Sequence, residues 1–293
     1  MKKTNTLNYL YIIIAATLWG SISFFLKTLS NAGMPQMDIV AIRFTLSAII
    51  LSIYTFFKDK SYFKIRIKDI WCFIGTGIIS LFFFTCCYFS AITMTTASIA
   101  AVLLYTAPVF VMIFSIFLFK EELNKNKIIA LIMTFIGCIL VTGIIFDRGN
   151  LSSAGIILGI LSGFGYALYS IFGRYAINRG YSSVTISMYT FLFAAPPALI
   201  CSDITKSIQL FTEPAAIWGA FGMSVLCCVL PYVLYTLGLK GVESSKASIL
   251  ATVEPAVATV ISICFYHEQI SFFNICGILL IFASIFVLNM KNK

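Results

Sequence analysis

The sequence predicts an all-α integral membrane protein whose ten transmembrane helices form two inverted five-helix repeats. The first observation is composition: 60% of the 293 residues are hydrophobic, 11% are charged, and the mean hydropathy is +0.99. A chain with so little polar surface cannot cover a soluble domain. The second is a set of ten apolar runs that can each span a hydrocarbon core of roughly 30 Å. The third is a Pro and Glu pattern that occurs twice.

The ten apolar runs are joined by short connectors that leave no room for an extramembranous domain. The first run follows Met1-Lys2-Lys3 as a signal peptide would, but no small-x-small cleavage site closes it. It is therefore predicted to be the first transmembrane helix. In chain order the predicted helices cover 9–29, 36–57, 70–92, 97–119, 126–146, 154–177, 182–201, 214–239, 247–266 and 272–290.

Lys and Arg are distributed unequally between the two ends of the predicted helices. Sixteen of the 20 lie at the termini or in the connectors after helices 2, 4, 6 and 8, three lie on the opposite side, and Arg43 lies inside helix 2. Because cytoplasmic connectors carry the excess of positive charge, we expect a multi-pass protein of the cytoplasmic membrane with both termini in the cytoplasm. The formal charge of +9 is explained in this way, and no nucleic-acid partner is expected.

An internal repeat becomes visible when the chain is shifted by 147 residues. Without a gap, the shift pairs Pro108 with Pro255 and Glu121 with Glu268. Because each half holds five helices, the second half must cross the membrane in the opposite sense to the first. Inverted repeats of this kind are typical of secondary transporters, which bind their substrate near the midplane between the halves. The predicted halves are 1–146 and 147–293.

The residues around the repeated Pro and Glu resemble a known family. Helix 4 contains Thr-Ala-Pro-Val-Phe at 106–110 and is followed by Glu121-Glu122, and helix 9 contains Val-Glu-Pro-Ala at 253–256. Over essentially the whole chain, these features resemble the EamA-like branch of the drug/metabolite transporter (DMT) superfamily. The resemblance implies a ten-helix carrier with a central cavity lined mainly by helices 1, 3, 4, 6, 8 and 9. Similar proteins move amino acids, amines, nucleosides, vitamins and other metabolites, many of them outward.

Glu254 is predicted to lie near the middle of the membrane, since it is about ten residues into helix 9 at about 1.5 Å per residue. A charge there costs at least about 2.5 kcal/mol, so the carboxylate should face a cavity or a partner, or be protonated. Two interpretations stay open. Glu254 either contacts a substrate ammonium group or couples transport to a proton, or it is a structural carboxyl bonded to helix 4 or to backbone near Pro255.

Arg43 is the second charge predicted inside the membrane. It lies some seven residues from the outer end of helix 2. It either pairs with a helix terminus or with Glu254, or it binds a substrate carboxylate. Lys27 and Arg174, which the same shift overlays, lie near helix ends and are predicted to extend to the membrane surface.

Aromatic side chains supply the predicted walls of the cavity. Rings away from the helix ends need a polar partner for their N–H or O–H groups, although any one of them can instead be a packing or interface residue. Together they would suit small zwitterions or aromatic amines, through hydrogen bonds and cation–π contacts. The predicted substrate-binding residues are Trp19, Tyr88, Tyr105, Tyr166, Tyr169, Tyr232, Tyr235 and Glu254.

Repeated Pro and Gly residues predict where helices bend or pack closely. Pro108 and Pro255 each remove one intrahelical hydrogen bond, and we hypothesise that they are bending points for alternating access. Gly155, Gly159 and Gly163 recur every four residues in helix 6. This spacing lets two helices approach closely, so it predicts a packing seam.

No motif for catalysis is present. The sequence has no nucleotide-binding Gly loop and no His-Glu-x-x-His, and its nine Cys residues form no Cys-x-x-Cys pair. We therefore expect no enzyme activity, no cofactor and no metal site. The predicted function is a secondary carrier of small polar metabolites, amino acids or related amines first, with export favoured by the family resemblance. Its expected partners are a small-molecule substrate, the lipid bilayer and a proton as the candidate coupling ion. The alternative is a membrane-embedded enzyme, or a non-transporting accessory or lipid-handling protein.

Overall fold

The computed structural model describes residues 2–144, 152–267 and 269–290. Within these ranges it contains ten helices that are long and apolar enough to cross a membrane, as predicted. The predicted boundary between the halves, at 146 and 147, and Glu268 lie outside the described residues. The spanning helices are α1 (Thr6–Asn31), α2 (Gln36–Lys58), α3 (Ile67–Met94), α4 (Ala97–Phe119), α5 (Lys125–Thr142), α6 (Ser153–Asn178), α7 (Ser183–Ile200), α8 (Pro214–Leu239), α9 (Ser244–Tyr266) and α10 (Phe272–Asn289).

Helices α4 and α9 are each interrupted beside a proline. The first segment of α4 ends at Leu104, four residues before Pro108. The first segment of α9 ends at Ala251, four residues before Pro255. The carbonyl four residues before a proline is the one with which its ring clashes, which accounts for both positions. The segments are Ala97–Leu104 and Ala107–Phe119 in α4, and Ser244–Ala251 and Val253–Tyr266 in α9.

Three other spanning helices are irregular. In α1, the segments Lys2–Gly20 and Ile22–Asn31 meet at Ser21. Helices α3 and α8 each contain a π-helical segment, Gly75–Phe82 and Met223–Val229, and the 147-residue shift overlays these two segments. The flanking pieces are Ile67–Asp69, Ile70–Ile74 and Phe83–Met94 in α3, and Pro214–Gly222 and Leu230–Leu239 in α8. The connectors hold the short helices Lys60–Phe63, Ile204–Gln209 and Leu210–Thr212.

The two halves share backbone conformations outside their helices as well. Lys120 and His267, which follow α4 and α9, are both left-handed, with φ of 55° and 53°. Gly33 and Gly180 have φ of 91° and 87°. Both pairs are separated by 147 residues, the shift that aligns the prolines. The repeat is therefore a property of the fold, and the structure consists of two inverted five-helix repeats.

Glycines allow the closest contacts between helices. A Cβ placed on Gly163 would lie 2.5 Å from Oγ1 of Thr106, and one placed on Gly159 would lie 2.4 Å from Leu103. Gly159 and Gly163 therefore pack directly against α4, and a Cβ placed on Gly155 would meet Met94 and Thr95 instead. The stripe is a close-packed seam, as the sequence predicted. The other principal pairs of spanning helices are α5 with α10, α2 with α7, α3 with α6 and α1 with α8.

Buried carboxylates fix connectors at both ends of the bundle. Asp69 accepts hydrogen bonds from Arg66, Arg179 and Tyr181 at 2.8–3.0 Å, which ties the start of α3 to the connector between α6 and α7. At the other end, Asp38 accepts a hydrogen bond from the backbone N–H of Asp203 at 3.0 Å and one from Ser207. These contacts hold the helices in register across the membrane.

Candidate functional site

A cavity of about 430 Å³ lies within the bundle. Its lining comes mainly from α1, α2, α3, α4, α6, α8 and α9, with a few residues from α5 and α10, so α2, α5 and α10 join the six helices implied by the family resemblance. The cavity reaches the end of α5 and the start of α10, where Thr142, Gly143, Gln269 and Asn274 line it. We take this end of the cavity as its mouth. This is the side opposite the Lys- and Arg-rich connectors that follow α2, α4, α6 and α8. We call the side of those connectors the basic side and the side of the mouth the open side.

Five of the predicted aromatic residues line this cavity. Trp19 is at their centre, with its ring centroid 5.3 Å from that of Tyr232 and 6.2 Å from that of Tyr166, both in edge-to-face geometry. Such pairs hold the rings in fixed orientations. The wall is therefore built around the tryptophan of α1. The lining members are Trp19, Tyr88, Tyr105, Tyr166 and Tyr232.

Tyr169 and Tyr235 do not line this cavity, but together with Trp19, Tyr166 and Tyr232 they line a much smaller space of about 10 Å³. Tyr169 is hydrogen-bonded to Thr236 at 2.9 Å and Tyr235 to Ser170 at 2.7 Å, and both tyrosines are buried. Each lies three residues, or about 4.5 Å of helix rise, beyond a lining tyrosine toward the basic side. The two hydrogen bonds therefore join α6 and α8 on the basic side of the cavity.

Glu254 lies on the cavity wall, in the first turn of the second segment of α9. The hydroxyl of Tyr166 donates a hydrogen bond to its Oε2 at 3.3 Å. The start of a helical segment carries partial positive charge that favours a carboxylate. The break that Pro255 imposes on α9 therefore creates the backbone environment in which an acidic side chain can face the cavity.

Arg43 also lines the cavity, although only 8% of its surface is exposed. Its Nε is buried and has no hydrogen-bond partner among the described residues. The guanidinium carbon lies 4.9 Å from the centre of the Phe44 ring. Neither pairing that the sequence left open, with a helix terminus or with Glu254, is present among the described residues.

Several lining residues were not singled out from the sequence. Phe84 and Thr85 of α3, and Cys227 and Cys228 of the π-helical segment of α8, belong to this group. The repeat contained a signal for one of them, because the 147-residue shift pairs Thr85 with Tyr232. The others have no sequence signal that distinguishes them from ordinary apolar helix residues.

The basic side is closed by a carboxylate that binds the start of another helix. Glu121, just after α4, accepts hydrogen bonds from the backbone N–H groups of Ser244 and Ser245 at 2.6 and 3.1 Å. It also accepts one from the hydroxyl of Ser245. These residues begin α9, so Glu121 of the first half caps a helix of the second half. We call this arrangement the α9 cap.

Charged side chains surround the α9 cap. Lys127 is buried and its ammonium nitrogen lies 3.2 Å from Glu243, 3.9 Å from Glu121 and 2.6 Å from the carbonyl of Glu122. Lys246 pairs with Glu243 at 2.7 Å. Burial would raise the pKa of Glu243, but the two lysines outweigh it and the pKa is lowered. The cap is thus a network of compensated charges.

Arg174 belongs to the same closure. Its Nε donates a hydrogen bond to the hydroxyl of Ser244 at 2.9 Å, and its terminal nitrogen donates to the carbonyl of Val242. The sequence had assigned this side chain only an extension to the membrane surface. Its repeat partner Lys27 instead lies over the ring of Tyr266, 3.6 Å from the centroid. The two halves therefore use related cations differently.

Comparisons with known proteins agree with this architecture. A model of the EamA-like transporter family matches residues 6–143 and again residues 153–290. The uncharacterized transporter YyaM of Bacillus subtilis is 26% identical over 95% of this chain and 92% of its own length. An uncharacterized transporter of Archaeoglobus fulgidus is 25% identical over 94% of each chain.

A known crystal structure resembles the whole bundle, with a TM-score of 0.81 over 96% of each chain and 16% identity. At that identity the similarity concerns the fold alone. The family model, in contrast, matches the sequence in both halves and covers most of the chain. This protein belongs to the EamA-like transporter family.

Proposed function

We propose that the protein is a secondary transporter that moves small polar metabolites, amino acids or related amines first, across the cytoplasmic membrane by alternating access. The observation that carries this proposal is a cavity that enters the bundle from one side and ends above a hydrogen-bonded closure on the other. An alternating-access carrier needs such a site, open to one side of the membrane at a time.

The distribution of charge suggests which state the structure represents. If the basic side faces the cytoplasm, the cavity opens outward and the α9 cap closes the cytoplasmic path. For an exporter this is the state that releases substrate. Export is favoured by the family resemblance, whereas the direction of net movement depends on the gradients.

The change of sides would require the α9 cap to open while the mouth closes. Helices α4 and α9 carry the interruptions at Leu104 and Ala251. Both adjoin the α9 cap, since Glu121 follows α4 and Ser244 begins α9. A bend at Pro108 or Pro255 would therefore move a cavity wall and a cap residue together. Glu254 is the candidate to bind a substrate ammonium group, or to carry a coupling proton.

Counterflow into proteoliposomes tests the proposal. Vesicles loaded with an unlabelled mixture of amino acids and amines should accumulate the same compounds in labelled form, saturably. Trp19→Ala, which removes the centre of the cavity wall, should reduce accumulation at least about tenfold. Trp218→Ala is the matched control, because Trp218 is 73% exposed on the outside of the bundle and should keep full activity.

Three outcomes would contradict the proposal. If no compound showed saturable exchange, the alternative would be favoured, namely a membrane-embedded enzyme or an accessory or lipid-handling protein. A flux that does not saturate would indicate a channel. Equal loss in the two tryptophan variants would show that the cavity is not the route.

A further inference from the structure

The positive charge of the basic side is concentrated in one connector. Residues 58–69, which join α2 to α3, contain five Lys or Arg residues and two Asp residues, and we call this segment the basic loop. The connectors after α4 and α8 are balanced, because residues 120–125 contain two lysines and two glutamates and residues 240–243 contain one of each. The general excess of positive charge on one side of a membrane protein does not require such a concentration.

Four lysines of the basic loop are not neutralised by any acid in the described ranges. Asp69 is buried and pairs with Arg66 at 2.8 Å and with Arg179 at 3.0 Å. Asp59 accepts a hydrogen bond from the backbone N–H of Ser61 at 2.8 Å. The lysines are exposed and form no ion pair with a described acid, and they are Lys58, Lys60, Lys64 and Lys68. The loop therefore presents an excess of exposed positive charge.

Hydrogen bonds hold the basic loop against α7. The hydroxyl of Thr185 donates a hydrogen bond to the carbonyl of Tyr62 at 3.0 Å. The hydroxyl of Tyr189 donates one to the carbonyl of Phe63 at 2.8 Å. Because the backbone between the lysines is already fixed, it loses little conformational freedom when the lysines bind an anionic surface.

Exposed apolar side chains lie at both ends of the basic loop. Phe57, at the end of α2, is 82% exposed, and Ile67, at the start of α3, is 86% exposed. Trp71 follows in the first turns of α3 and is 40% exposed, with the guanidinium carbon of Arg179 5.0 Å from its ring centre. Tryptophan and lysine beside exposed apolar residues are typical of the headgroup level of a membrane. The lysines of the loop therefore lie at the depth of the lipid phosphates.

We propose that the basic loop docks on the headgroups of anionic phospholipids in the leaflet at the basic side. The lysine ammonium groups would contact the phosphates, and the acyl chains would cover Phe57 and Ile67. A zwitterionic phospholipid supplies the same acyl chains without a net negative charge. The loop should therefore prefer the anionic lipid about fivefold for each lysine that a headgroup contacts. This docking does not depend on the substrate that the protein moves.

Quenching of tryptophan fluorescence by brominated lipids tests the proposal, because Trp71 lies three residues after Lys68 and reports the lipids beside the loop. The full-length protein is reconstituted in mixed phosphatidylcholine and phosphatidylglycerol vesicles in which either one lipid or the other carries bromine near the headgroup. Trp218→Phe isolates Trp71. Trp71→Phe isolates Trp218, which is 73% exposed at the start of α8 on the open side. Trp19 is buried in the bundle and should add a constant background.

The two tryptophans should report different lipids. Around Trp71, phosphatidylglycerol should be enriched at least about fivefold over its proportion in the vesicle, whereas Trp218 should report a composition close to that of the vesicle. Equal quenching of Trp71 by the two brominated lipids at equal proportions would overturn the proposal. The same result would be obtained if the loop bound an acidic protein or no partner.

Lysine variants in the Trp218→Phe protein test whether the enrichment comes from the basic loop. Lys64→Gln with Lys68→Gln should lower the enrichment around Trp71 about fivefold or more. Lys125→Gln with Lys240→Gln is the matched control, because it removes the same charge from two other exposed positions on the basic side and should keep the enrichment. Equal losses in the two double variants would mean that net charge alone attracts the lipid, and would overturn the proposal.

A variant that preserves the charge separates lipid binding from folding. Lys64→Arg with Lys68→Arg should keep the enrichment, since a guanidinium also binds phosphate. Without anionic lipid, in a neutral detergent, both double variants at these positions should melt like the wild-type protein. A lower melting temperature of the Gln variant there, or an equal loss of enrichment in the Arg variant, would mean that the two lysines are structural and would overturn the proposal.

Discussion

The starts of α4 and α9 are related by the repeat, yet they lie in opposite environments. At the basic side, Ser244 and Ser245 are buried and Glu121 binds their N–H groups from the other half. At the open side, the related Ala97 is exposed, and the hydroxyl of Thr96 within the same connector accepts the hydrogen bond from the N–H of Ile99. One helix start is capped from the other half and the second is capped locally.

The two helix starts show that the repeat preserves backbone conformation but does not preserve tertiary contacts. The two halves share their prolines, π-helical segments and left-handed residues at one spacing, but they do not share their contacts. An inverted-repeat transporter changes sides when one half moves against the other. In the opposite state we therefore expect the start of α4 to be covered and the start of α9 to be exposed.

Removing the carboxylate of Glu121 should have the largest effect on stability and on substrate exchange. Glu121→Ala leaves two buried N–H groups and one hydroxyl of α9 without their charged acceptor. We expect the free energy of unfolding to fall by at least about 2 kcal/mol and labelled substrate exchange to change strongly, because the basic side loses its closure. Thermal melting and counterflow measure the two effects.

The neighbouring Glu122 provides the control, since its side chain is exposed. Glu122→Ala should shift stability by less than about 0.5 kcal/mol. If the two variants behaved alike, the α9 cap would not close the basic side.

Relieving both interruptions should slow transport without affecting binding. In Pro108→Ala with Pro255→Ala, the carbonyls of Leu104 and Ala251 can regain intrahelical hydrogen bonds. We expect a straighter α4 and α9 and a several-fold lower counterflow rate, with ligand-induced thermal shifts preserved. Pro214→Ala is the control, because Pro214 lies at the first turn of α8, where a proline disturbs nothing. An unchanged rate in the double variant would refute the bending hypothesis.

Two serines related by the repeat test the asymmetry directly. Ser245→Ala removes one hydrogen bond to Glu121 and should destabilise the protein by about 1 kcal/mol. Ser98→Ala, at the related position of α4, should change stability by less than about 0.5 kcal/mol. Equal losses, measured by thermal melting under the same conditions, would argue against the different environments of the two helix starts.

The smallest expected effect is a dependence of the cap on pH. Because the folded-state pKa of Glu243 is lowered from 4.5, its contribution to stability is present above that value and is lost as the pH falls through the folded-state pKa. Melting curves of the wild-type protein should therefore lose a small increment below about pH 4.5. Glu243→Gln should lack that increment. An identical pH dependence in the variant would show that Glu243 does not contribute.

The sequence predicted the helices well because the signal for a membrane span is local. Hydropathy over some twenty residues identifies each of the ten helices, and a proline marks its own interruption through its ring and its missing N–H. The 147-residue shift pairs Pro108 with Pro255, so the sequence also relates the two interruptions. Thr85 could have been added to the site by the pairing with Tyr232.

The arrangement of the site was predicted only in part. Trp19 and Tyr166 line the cavity, but Tyr169 lies about one turn further toward the basic side, where its hydroxyl is hydrogen-bonded to Thr236. Nothing in the hydropathy of α6 reveals that depth. Arg174 was predicted only to extend to the membrane surface, but it bonds to the start of α9. That contact depends on a residue 70 positions away in the chain.

The sequence by itself determined that this chain crosses the membrane ten times, that its halves are inverted copies, and where two of its helices break. Each of these follows from the free energy of placing a residue or a short segment in lipid, or from the geometry of one proline. Only the tertiary structure decided that Arg43 and Glu254 share one cavity without pairing and that Glu121 caps α9 and not its own half. Those facts depend on the relative positions of helices that are distant in the chain. Apolar residues set these positions through their packing, and the composition of a helix does not reveal how its apolar residues pack.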